Sequence, residues 1–168
     1  MANKYFDFEE AMDAIKDLLE ANMPAEITLI NTEKADVYVL TNPVAYHFGL
    51  RYVDPQAAKG NCILIIQRGN TDGINFNPQV TEEDSIIEVV VSYWDVKAET
   101  VERKLGRYTK AARKIMDTNP LDQLLAPHPC NIKFSQVSSV ESSMMDFEGD
   151  VYMKGMIIRL RFRDVYTY

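Results

Sequence analysis

Ser85-Ile86-Ile87-Glu88-Val89-Val90-Val91-Ser92-Tyr93-Trp94 is the stretch that decides the fold. Ten residues rich in β-branched and aromatic side chains, with a single charge, predict a strand covered on both faces. Upstream, Ile63 to Gln67 has the same continuous apolar character and predicts a second central strand. Downstream, Val101, Leu105, Tyr108, Ala112, Ile115 and Met116 recur at helical spacing from about Ala98 to Asp117, and Asn119-Pro120 ends the pattern. After a connector containing Pro127 and Pro129 come two more expected strands, Ile132 to Met144 and Val151 to Val165, with Phe147-Glu148-Gly149-Asp150 as their turn. In the last of them Met156, Ile158, Leu160 and Phe162 alternate with Ile157, Arg159, Arg161 and Arg163.

Towards the start, Asp7-Phe8-Glu9-Glu10 has the form of a capping box, and Phe8, Ala11, Met12, Ile15, Leu18 and Leu19 keep helical spacing behind it. A helix from about Phe8 to Asn22 is expected, stopped by Pro24. Glu26 to Asn31 and Asp36 to Leu40 read as short strands around a turn at Asn31-Thr32-Glu33-Lys34. Thr41 to Gly60 shows no pattern, and an extended loop is expected at about residues 69–84. Helix, several strands, helix and hairpin predict a single α+β domain over residues 1–168. Its sheet is antiparallel or mixed, with two main helices packed on it.

A chain of 168 residues and 19.2 kDa buries roughly 70% of its unfolded surface, so it can make its own core. The longest apolar run, Cys62 to Ile66, is far short of a membrane span, and the first ten residues turn acidic at once, so a soluble chain without a signal peptide is expected. Of the two cysteines, Cys62 opens the most apolar stretch and reads as a buried thiol. A net charge of -7 argues against wrapping nucleic acid, because phosphate binding needs a basic face. It suits a wall along which DNA slides.

Catalytic signals are lacking. No Gly-x-Ser-x-Gly elbow, His-Glu-x-x-His helix or phosphate-binding glycine loop occurs. His128-Pro129-Cys130 is too small a set for a tetrahedral metal site, and Asp146, Glu148 and Asp150 lack the ligand spacing of a calcium loop. No catalytic residue, metal or cofactor is expected.

Charge is strongly segregated. Seven cations against three carboxylates give Lys97–Asp117 a net +4, leaving -11 elsewhere. Arg103, Arg107, Lys110 and Lys114 are spaced four, three and four, along one helix face. Two readings stand side by side: a solvated face favoured by the helix dipole, or a basic stripe meeting an acidic surface on a neighbouring copy or partner. Arg159, Arg161 and Arg163 form a second row, read as the polar side of an antiparallel strand or as protection of an edge. In the expected loop, Asp72, Asn75, Phe76 and Asn77 mark a tip that would order on contact with a neighbouring subunit or partner.

The order of elements resembles the tail terminator (tail completion) proteins at the neck of long-tailed bacteriophages. The features that carry the resemblance are the acidic helix Asp7 to Asn22, the strand Cys62-Ile63-Leu64-Ile65-Ile66 with its polar loop, and the strand Ile86 to Trp94. The helix beginning Glu99-Thr100-Val101-Glu102-Arg103-Lys104-Leu105-Gly106-Arg107-Tyr108 and the arginine-alternating strand Gly155 to Tyr168 complete it. The resemblance implies a structural virion protein, with no membrane partner. It implies a homohexameric ring that caps the tail tube protein, ends tail polymerisation and meets the head–tail connector or stopper protein. DNA would pass through without specific binding. Another neck or minor tail ring protein, a small enzyme and a monomeric binding module are the alternatives. An enzyme would show a deep carboxylate-lined pocket, and a binding module a single groove.

Overall fold

The computed structural model describes residues 8–49, 53–69, 74–77, 80–119, 132–143 and 146–167. In chain order the elements are α1 (Phe8–Lys34), β1 (Ala45–Phe48), α2 (Pro55–Ala58), β2 (Cys62–Arg68), β3 (Ile74–Asn77) and β4 (Val80–Asp95). They continue with α3 (Ala98–Thr118), β5 (Ile132–Ser142), β6 (Asp146–Glu148) and β7 (Val151–Thr167). The sheet runs β1-β2-β4-β7-β5, with β3 added beside β4 and β6 beside β7. β1 is parallel to β2 and the other pairings are antiparallel. This is the α+β class with a mixed sheet, as the sequence predicts.

The first helix departs from expectation. It does not stop at Pro24 but continues to Lys34, so Glu26 to Asn31 is helix and not strand. Proline in a helix interior loses one hydrogen bond and costs about 3 kcal/mol. Beyond it, however, Ile27 and Ile30 are buried and continue the row of Ala11, Ile15, Leu19 and Met23. Burying a large aliphatic side chain contributes about 1.5–3 kcal/mol, so two of them offset the proline. Pro24 itself sits on the exposed side, and the Thr28 hydroxyl donates to its carbonyl at 2.9 Å. The helix ends where Ala35 turns left-handed, φ 45°, and its N–H bonds the Asn31 carbonyl at 3.0 Å. Asp36 to Leu40, also expected as a strand, joins no ladder among the described residues. It crosses α3 as a strap.

Thr41 to Gly60 contains β1 and α2, which the sequence pattern did not indicate; Asp54 caps α2 through the Gln56 N–H at 3.0 Å. The Asp7 cap lies outside the described residues, as do His128, Cys130 and the connector's prolines.

All of the long helices lie on one face. Leu64, Ile66, Ile87, Val89, Val91, Tyr93, Ile158, Leu160 and Phe162 meet Ile15, Leu19, Met23, Val101, Leu105, Tyr108 and Ile115 in the main core. Cys62 is fully buried there, and desolvation pushes its thiol up, which makes it inert packing as expected. On the opposite face, among the described residues, α2 and its flanks give cover, forming a small cluster of Ala58, Ile63, Ile65, Trp94 and Val151.

Candidate interaction surfaces

The basic stripe of α3 is answered within its own chain. Arg107 forms a two-pronged ion pair with Asp36 and donates to the Tyr38 carbonyl at 2.8 Å. Lys114 reaches Glu26 at 2.8 Å and Lys110 reaches Glu33 at 3.5 Å, while Arg103 pairs with Glu99 at 3.7 Å. The acidic surface expected on another subunit is therefore α1 and the strap of the same molecule, which corrects that reading for Arg107 and Lys110. Once α1 continues past Pro24, Glu26 and Glu33 stand seven residues apart on one helix face, opposite the stripe.

The strap is held at three points. Asp36 is drawn down to about 2 by the Arg107 hydrogen bond, helped by the Tyr38 N–H. Leu40 exchanges two bonds with the Asn31 side chain at 2.8 and 2.9 Å. The Tyr108 hydroxyl donates to the Thr41 carbonyl at 2.7 Å and accepts from its N–H at 3.1 Å, and burial pushes Tyr108 up to about 12. Sequence inspection missed these partners, because a β-rich pentapeptide gives no hint that its main chain is satisfied by side chains.

On the face opposite α1 and α3, Arg159 and Arg161 of the arginine row are also answered within the sheet. Arg159 bonds Glu88 at 2.9 Å and pairs with Glu141, Arg161 pairs with Asp84, and Gln67 donates to Glu88 at 2.9 Å. Burial pushes Glu88 up, but the bonds from Gln67 and Arg159 outweigh it and hold the carboxyl low. The register places Arg163 opposite Asp84; its side chain lies outside the described atoms. Cross-strand opposite charges of this kind stabilise a sheet. Arg159 and Arg161 thus belong to the polar side of an antiparallel strand, with their counter-ions supplied by β4 and β5.

Beside this ladder lies a cleft of about 380 Å³ floored by Ile65, Val90, Met153 and Ile157, with Asp146 and Glu148 at its rim. Gly155 is part of the floor. A Cβ there would meet nothing closer than 3.5 Å, so no neighbour in the chain demands glycine. A glycine inside a strand that sterics do not require leaves room for something to approach.

The segment expected as an irregular loop is largely β structure. β3 pairs with residues 80–83 of β4 in a hairpin that prolongs the sheet, because hydrogen bonding straightens both arms. Asn75, Phe76 and Asn77 lie on β3, where only their backbone is described, and Asp72 lies outside the described residues. β4 and β7, 16 and 17 residues long, reach about 55 Å at strand rise, against about 32 Å for the 21-residue α3.

No group of three or more His, Cys, Asp or Glu suited to a metal occurs among the described residues. Nor is any helix there long and apolar enough to cross a membrane. No protein-family model matches the chain, and no curated protein is similar to it in sequence.

Proposed function

We propose that the chain is a structural ring subunit at the neck of a long-tailed phage particle, capping the tail tube and joining it to the head. The observation that carries the reading is the β4–β7 ribbon, longer than the helix beside it by about 20 Å and ending in the β3 hairpin. Such an arm gives one subunit the reach to touch the next. The element order set out above supports the same reading, and the charge of -7 suits a conduit that does not hold DNA. Cryo-electron microscopy of the particle that carries the protein tests it. Six-fold density at the head-proximal end of the tail tube is expected; a lone copy, or a site off the tail axis, overturns the proposal.

The cleft over Gly155 favours a second reading, a monomeric module that binds an apolar side chain or small ligand. Trp94, the sole tryptophan, lines that cleft and reports on its filling. Gly155→Leu should shift Trp94 emission without blocking ring assembly if the first reading holds; loss of particle attachment in that variant favours the second.

A further inference from the structure

The strap over α3 is half of a strand edge. Exposure alternates along it as in a strand, with Val37 at 85% and Val39 at 54%, whereas Leu40 is at 3%. Tyr38 and Leu40 have main-chain partners. Tyr38 bonds Asp36 and Arg107, and Leu40 exchanges two bonds with the Asn31 amide as it would with a neighbouring strand. Val37 and Val39 have no main-chain hydrogen bond among the described residues. Two apolar side chains beside open N–H and C=O groups form a template for an added strand.

The groove next to Val37 is basic. It is lined by Val37, Tyr38, Lys97, Glu99, Thr100 and Lys104. Glu99 is taken by the Tyr38 hydroxyl and Arg103. Every other cation of α3 has a carboxylate, but Lys97 and Lys104 have none among the described residues. Lys104 rests over the Tyr93 ring at 5.6 Å.

The complementary surface is in the same sequence. From Gly69 to Val96 there are six carboxylates and no cation, and two of them, Glu82 and Glu83, lie on the part of β4 that pairs with β3. The register sets Glu83 directly opposite Asp164 of β7. Like charges facing each other across a ladder weaken it, and an arriving cation would relieve them. β3 pairs only with β4 among the described strands, so its outer edge is open too.

We propose that the strap receives the β3–β4 hairpin of a second copy, with Ile74–Asn77 lying along Val37 and Val39 and Glu82 and Glu83 meeting Lys97 and Lys104. The inference rests on the ring reading, since a contact between unlike surfaces closes only as a ring and otherwise propagates as a filament.

The test uses the full chain. Val39→Cys and Phe76→Cys variants are mixed, oxidised and run on a non-reducing gel, with each single variant as control. A cross-linked dimer specific to the mixture is expected. In sedimentation, Lys97→Glu with Lys104→Glu should weaken association at least about tenfold, Glu82→Lys with Glu83→Lys likewise, and the quadruple exchange should restore most of it. Melting curves of each variant establish that it folds. Absence of the specific cross-link at the highest soluble concentration overturns the inference, as does a charge exchange without rescue. Six-fold density in the particle would leave the ring reading standing in either case. Association lost with the lysine reversal but untouched by the hairpin reversal also overturns it, pointing to a different acidic partner.

Discussion

Tyr108 shows how one side chain ties sequence to layer packing. Its ring fills the core against Tyr93, at 5.8 Å between centroids, while its hydroxyl serves both main-chain groups of Thr41. Tyr108→Phe keeps the ring and strands those two groups, so a loss of about 1–2 kcal/mol is expected in urea unfolding. Arg107 and Asp36 give a pH signature. Asp36 has its folded pKa depressed, so the stability from this pair is fully present above the ordinary 3.8 and is lost as pH falls through about 2. Tyr38 ring resonances, followed by NMR between pH 5 and 1.5, should therefore report strap release only at the acid end. Release near pH 4 would mean that Arg107 does not hold the carboxylate. Arg107→Lys cannot replace the two-pronged contact, so it should raise the pH at which the strap lets go.

At the scale of the element, α1 sets local propensity against burial. Pro24 marks a helix stop by every local rule, yet Ile27 and Ile30 continue the buried row past it. Because Pro24 is exposed and its ring is not needed for packing, Pro24→Ala should stabilise the protein by about 1–3 kcal/mol, seen as a higher urea midpoint at unchanged slope. An unchanged or lower midpoint would show that the proline sets a bend the core requires. The edge formed by β5 and β6 has another local device. Register shifts fall between Ile132 and Phe134 and between Val137 and Ser139, and from Ser142 to Asp146 four steps oppose three on β7. Repeated bulges bend an edge strand and discourage pairing with another chain. Contacts between copies are thus expected away from this edge, at the strap and hairpin.

For the whole molecule, one consequence is a dependence on salt. The main core is closed on the helix side, and Arg159 and Arg161 of the open face are paired within the sheet. Attraction between Lys97 and Lys104 and the carboxylates of a second copy would be screened within about 10 Å at 0.1 M salt. If the chain forms the proposed ring, its assemblies should hold together at low ionic strength and shed subunits as salt approaches molar, measured by sedimentation. Assembly that strengthens with salt would instead assign the contact to apolar surface.

The sequence by itself determined the class of fold and the elements with the clearest periodicity. The two apolar strands, the α3 stripe and the alternation from Met156 to Arg163 can each bury their apolar residues in one way only, so pattern suffices. It also determined which charges exist and how they are spaced along α3. Only the tertiary structure decided which carboxylates answer them, because Glu26, Glu33 and Asp36 come opposite the stripe only once α1 runs on through Pro24. The same holds for Asp36 to Leu40, whose β-rich residues make a strand only if a neighbour offers a ladder. Here Asn31, Arg107 and Tyr108 reach its main chain first. Local pattern reports what a segment prefers alone, and long-range burial and hydrogen-bond satisfaction decide among those preferences.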